Sequence, residues 1–142
     1  MKACLIDTDV FSFIFRLDSR AIGYQKLIED RQVFISFMTL AEIRQGMAMN
    51  KWQSARVVQM EVFVQLNFGI IFPTDAIISQ YAEVMALSRS KGRPMSHGDA
   101  WIASTAMEWE VPLVTHNAKD YEVLGERIQL LSSDADESNS GE

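Results

Sequence analysis

The sequence predicts a single α/β domain built on a mainly parallel sheet. Two observations carry this reading. Short Val-, Ile-, Leu- and Phe-rich runs alternate with longer segments whose apolar residues recur at helical spacing, and acidic residues stand just beyond those runs. In such sheets ligands bind outside the carboxyl ends of the strands, so the acidic residues are the first candidates for a site.

In chain order, residues 3–6 are an apolar run closed by Asp7 and read as a buried strand. Val10, Phe11, Phe13, Ile14 and Leu17 then fall on one face of a helix. Residues 21–30 are expected to form a second helix with Ile22, Leu27 and Ile28 facing inward. Residues 32–37 carry the Val, Ile and Phe of a second strand. Helices follow over 39–49 and 52–67, then a third strand over 69–72 stopped by Pro73. Residues 74–89 are a strong helical segment, and 91–95 are a loop containing Gly92 and Pro94. Ser96 opens a helix running to Trp109, Pro112 restarts the chain, and 113–115 are a fourth strand. A short helix near 119–124 leads to an edge strand at 128–131.

Composition narrows the class. With 142 residues and 48% hydrophobic content the chain can bury a substantial core, which excludes a disordered protein. The apolar runs end far short of the ~18 residues that cross a bilayer, and Asp7 interrupts any signal-like segment. A soluble, cytoplasmic protein is expected. One cysteine, Cys4, allows no internal disulfide, and two histidines are too few for a zinc centre without carboxylates. Four of the 19 acidic residues (Asp134, Asp136, Glu137 and Glu142) lie in residues 132–142, where no basic residue stands. That stretch is expected to be a disordered acidic tail after a domain spanning 1–131. The remainder therefore carries only −2 of the formal −6, so charge neither supports nor excludes a nucleic-acid partner.

Each candidate carboxylate has a plain helix-start explanation. Thr39-Leu40-Ala41-Glu42 fits a capping box, and Ser96-His97-Gly98-Asp99 has the same shape with Asp as its acid. Asp9 can cap the first helix, and Asp120 can sit in a first turn where the helix dipole favours it. Asp7 resists this reading best, because it ends an apolar strand where Thr8 or Asp9 already supplies a cap. Acidic residues gathered at one sheet edge repel one another unless a cation or solvent relieves them. Oxygen-rich clusters of this kind suit Mg²⁺ or Mn²⁺. Two such ions ~4 Å apart activate water and stabilise a leaving oxygen in phosphodiester cleavage.

Four motifs resemble those of PIN domains. Leu5-Ile6-Asp7-Thr8-Asp9-Val10 is similar to the family's opening motif, and the stretch from Ser36 through Thr39, Glu42 and Arg44 to Gly46 to its second. Gly98-Asp99-Ala100-Trp101-Ile102-Ala103 resembles the third, and Leu113-Val114-Thr115-His116-Asn117-Ala118-Lys119-Asp120-Tyr121 the fourth, where Asp-Phe is the usual ending. Their order and spacing over residues 1–131 look like those of VapC-type toxins. The resemblance implies an αβα sandwich with a four- to five-stranded sheet and an Mg²⁺- or Mn²⁺-dependent endoribonuclease that leaves a 3′-hydroxyl and a 5′-phosphate. It also implies a homodimer and a cognate antitoxin. Carried over residue by residue, Asp7, Glu42 and Asp99 are its metal ligands and Asp120 the fourth carboxylate. Asn117 stands where many members have Asp, with Thr8 and Thr115 as supporting hydroxyls.

Softer features surround these. Arg89, Lys91 and Arg93 precede Asp99 and are either phosphate contacts or a solvated loop. Arg44 pairs with a site carboxylate or faces solvent. His97 and His116 read as surface or capping residues. Phe11, Phe13, Ile14 and Phe15 are too many for one helix face, and the surplus suits a dimer contact or a groove for a partner helix. Eight Met and three Trp read as packing. Two rivals remain. One is a PIN-like domain that has lost catalysis and serves as an RNA- or protein-binding scaffold. The other is a haloacid-dehalogenase-type phosphatase, whose Asp-x-Asp motif Asp7 and Asp9 resemble, although too little chain follows Thr115 for its later motifs.

Overall fold

The computed structural model describes residues 2–133; of the disordered tail expected over 132–142, residues 134–142 lie outside them. Five strands form one sheet: β1 (Lys2–Ile6), β2 (Arg31–Ser36), β3 (Gly69–Ile71), β4 (Leu113–Val114) and β5 (Leu130–Leu131). Their order is β3-β2-β1-β4-β5 and every pairing is parallel, with Leu5 opposite Phe34 on one side and Leu113 on the other. The connections are α1 (Thr8–Phe15), α2 (Ala21–Ile28), α3 (Phe37–Met49), α4 (Ser54–Asn67), α5 (Asp75–Ser90), α6 (His97–Trp109) and a 3₁₀ segment, Ala118–Arg127, kinked at Gly125.

The strands are apolar on both faces because helices cover both. Cys4 and Ile6 of β1 pack with Val10, Phe11, Tyr24 and Val64, whereas Leu5 points the other way into Ile77, Ile102, Leu113 and Tyr121. This is the αβα layering that the sequence predicts. Among the described residues no helix is long and apolar enough to cross a membrane.

Three local expectations are corrected. Helix α3 starts at Phe37 with Ser36 as its cap, the Ser36 hydroxyl accepting from Met38 N–H, so Thr39 and Glu42 form no capping box. Ser36 ends β2 and caps the helix at once, leaving no loop between them. Ile22 is exposed, and Tyr24 fills the inward position of α2. Leu17 is also exposed and lies beyond α1, where it closes the helix in the left-handed region at φ 54°.

There Leu17 N–H donates to the Ile14 carbonyl and Asp18 N–H to that of Phe13, the paired bonds of a Schellman closure. The position favours glycine, and an L side chain held there costs about 1–2 kcal/mol. Leu17 is 80% exposed, so its side chain recovers little of that by burial. Leu17→Gly is therefore expected to raise stability by about 0.5–1 kcal/mol in urea unfolding, after the greater freedom of glycine in the unfolded chain is subtracted. A loss of stability would mean that Leu17 makes contacts worth more than its strain.

Candidate active site at the switch point of the sheet

Chain connections leave the sheet in opposite directions from β1 and β4, which makes the crevice between their carboxyl ends the expected ligand position. Asp7 follows β1 and Thr115 follows β4, and Asp7 N–H donates to the Val114 carbonyl at 2.9 Å. Asp7 is itself the cap of α1, its Oδ1 accepting from Thr8 N–H at 2.7 Å. This corrects the expectation that Thr8 or Asp9 supplies the cap: Asp7 caps the helix and stands in the site at once. Its Oδ2 accepts from the Thr115 hydroxyl at 2.9 Å and the Tyr121 hydroxyl at 2.8 Å. The residue is only 7% exposed.

Asp99 stands in the first turn of α6, placed by the Ser96 cap, whose hydroxyl accepts from Asp99 N–H at 3.2 Å. Its Oδ1 lies 3.3 Å from the same Tyr121 hydroxyl. Glu42 comes from the second turn of α3. Thr8 donates to its Oε1 at 2.8 Å and lies 3.0 Å from the buried Thr39 hydroxyl. A methyl group added at Gly98 of α6 would stand 3.7 Å from Glu42 Oε2, so α3 and α6 meet at these two acids. Asp120, in the first turn of the 3₁₀ segment, shares a groove with Asp99, Arg93 and Lys119. A second groove runs from Thr8 and Glu42 past Arg16, Trp52 and Arg56.

Electrostatics mark these carboxylates as one group. Burial raises the pKa of Asp7, against the hydroxyl and amide donors that oppose it, and the Asp120 charge adds to the rise. Asp99 is raised by burial and then by the charges of Asp7 and Asp120; Glu42 is raised by burial and by Asp7. Asp9, pushed up to about 6 by burial and by Asp7, accepts from Val10 N–H and from the Asn117 amide. The ion pairs formed among the described residues, Arg20–Asp18, Arg44–Glu61 and Arg93–Glu122, include none of the four. Arg44 is thereby accounted for on the surface. His116 and His97 bond Tyr24 and Tyr81 respectively, and Lys91 donates to the Val123 carbonyl. Phe11 and Phe13 are buried, with Ile14 and Phe15 partly buried against them.

The donor set is oxygen throughout, which suits Mg²⁺ or Mn²⁺. No three carboxylates among the described residues stand close enough to surround one ion directly. Mg²⁺ commonly takes one or two carboxylates and keeps several waters, so pairs linked through hydroxyls fit it. Tyr121 was missed as a site residue on sequence grounds. Its signal lay in the fourth motif, where this chain has a phenol at the position usually held by Phe.

Among known proteins, the family model described as PIN domain matches residues 4–126. Ribonuclease VapC1 of Haemophilus influenzae (strain R2866) is 25% identical over 122 residues, which cover 83% of this chain and 89% of that protein. Toxin FitB of Neisseria gonorrhoeae (strain ATCC 700825 / FA 1090) is 25% identical over 124 residues, 82% of this chain and 89% of that one. The crystal structure of VapBC2 from Rickettsia felis bound to a DNA fragment from their promoter shares the fold. Its TM-score is 0.79 at 21% identity, covering 93% of this chain and 99% of that one.

Raised carboxylate pKa values carry a stability consequence. In the folded chain these acids hold protons to higher pH than in the unfolded chain, so their charge penalises folding above the raised pKa and vanishes below the unfolded value near ~4. In EDTA, Asp99→Asn is therefore expected to melt a few degrees above the parent at about pH 7. The gap should close as the pH falls toward about 4. A gap of constant size would assign the change to packing instead of charge.

Proposed function

The chain belongs to the PIN domain family, and on that premise we propose that it is an Mg²⁺- or Mn²⁺-dependent endoribonuclease, the toxin of a toxin–antitoxin pair. One observation supports the site above all others. A nearly buried Asp7 carboxylate is tied through a shared hydroxyl to Asp99 amid further acids, with no basic partner among the described residues. The relatives' names, ribonuclease and toxin, support RNA as the substrate class and a cognate antitoxin as partner. Family membership displaces the phosphatase reading.

In this reading Asp7, Glu42 and Asp99 hold the ion or ions, with Asp120 completing the set from across the groove. When bound, a divalent cation supplies a polarised phosphate oxygen and a water of lowered pKa. The chain's own groups do the positioning. Thr8 fixes the Glu42 carboxylate while Thr39 fixes Thr8. Thr115 fixes Asp7 and also accepts from Asn117 N–H, which orders the turn leading to Asp120. Arg93 and Lys119 line the groove beside Asp99 and offer charge to the phosphates of a single strand. A homodimer belongs to the same proposal. The exposed Val58, Val62 and Leu66, spaced four apart on α4, support a face covered on assembly.

The test is cleavage of a labelled single-stranded RNA panel in Mg²⁺ or Mn²⁺. Activity is expected to vanish in EDTA and to fall more than about 100-fold in Asp7→Asn, since loss of even an outer partner of a metal ligand costs 10–100-fold. Divalent-ion binding should be detected by calorimetry in the parent. No cleavage and no ion binding would favour a scaffold that has lost the chemistry. Cleavage that survives EDTA would sink the metal-dependent reading.

A further inference from the structure

We infer that Tyr121 is a positioning residue for the divalent-cation site, its hydroxyl held between Asp7 and Asp99 so that Asp7 offers a single free lone pair on Oδ1. The inference rests on the metal-dependent reading above and assigns a role to a residue outside the four acids.

The ring alone does not require a tyrosine. Tyr121 is fully buried, packed in the layer that includes Leu5, Ile102 and Leu124, and phenylalanine fills such a position without burying a polar atom. The added oxygen goes to the two carboxylates, 2.8 Å from Asp7 Oδ2 and 3.3 Å from Asp99 Oδ1. A phenol has one proton. It goes chiefly to the nearer acid, Asp7, and only weakly to Asp99.

Lone-pair accounting then fixes how Asp7 can bind. A carboxylate has about four acceptor directions, two on each oxygen. The Thr115 and Tyr121 hydroxyls occupy those of Oδ2, and Thr8 N–H occupies one on Oδ1. One direction on Oδ1 is left, so Asp7 is set to bind an ion through one oxygen. All three donors are neutral. They orient the carboxylate without cancelling its charge, which a lysine in place of Tyr121 would do at the expense of the cation. Outer partners of this kind orient metal ligands and are worth 10–100-fold in affinity.

Mn²⁺ binding to the full chain without RNA, followed by the resonance of the free ion, tests the role. Tyr121→Phe is expected to bind Mn²⁺ about 10-fold more weakly, while its melting in EDTA shows it folded. Cleavage should recover when Mn²⁺ is raised in proportion, with the KM for RNA unchanged at saturating Mn²⁺. Thr115→Val removes the other hydroxyl donor to Oδ2 and is expected to shift affinity the same way, so it carries the test if Tyr121→Phe does not fold. Equal Mn²⁺ affinity in parent and variants would reduce Tyr121 to a packing residue. Tighter binding would mean the phenol competes with the ion. A parent that binds no Mn²⁺ would overturn the site reading itself, an outcome distinct from the first two.

Discussion

A carboxylate held almost out of water, at the point where the sheet's connections diverge, is the constraint on which the rest of this structure depends. Removing a charge from water costs several kcal/mol unless its surroundings compensate. Compensation at Asp7 comes from three different parts of the chain. Thr8 N–H comes from the helix that Asp7 caps, the Thr115 hydroxyl from the end of β4, and the Tyr121 hydroxyl from the 3₁₀ segment beyond. Parallel pairing of β1 with β4 is what brings the second and third within reach. The fold is therefore the means by which residues 108 and 114 positions apart meet on one oxygen.

The choice of donors matters as much as their number. Hydroxyls and amides satisfy the lone pairs of Asp7 and Glu42 yet leave their charge uncancelled, and no basic side chain pairs with either among the described residues. Asp99 and Asp120 both raise the local negative potential instead of relieving it. Helix N-termini offset part of this, since Asp7 caps α1 and Asp99 lies in the first turn of α6. What remains is a local electrostatic cost, carboxylates whose pKa values are raised by burial and by one another, a pattern expected where function outweighs local stability.

Much of this was legible in the sequence, for identifiable reasons. Apolar runs too short for helices betray strands buried on both faces, and their alternation with periodic segments fixes a parallel sheet. The position of Asp7 at a strand end follows from the same pattern. Side-chain direction in crowded segments was harder to read. Apolarity alone points Ile22 inward, but Tyr24 holds that position and its hydroxyl meets His116. Thr39 and Glu42 matched a cap motif, whereas Ser36 wins the cap because it ends β2 where α3 begins. Tyr121 carries only a faint signal, a phenol where the fourth motif usually has Phe, because its role depends on two carboxylates elsewhere in the chain.

The formal charge of −6 conceals how unevenly charge is distributed. The acids meet at the centre, while Arg16 and Arg56 stand along one groove and Arg93 and Lys119 along the other. A polyanion is thus attracted to the rims and repelled from the middle as long as the carboxylates bear their full charge. On the proposed reading a divalent cation reverses the sign at the centre, so ion and RNA each strengthen the binding of the other by the same factor. On that reading a bound cation relieves the repulsion at neutral pH, as protonation does in acid, and the neutral donors around Asp7 leave it in place where basic ones would have cancelled it.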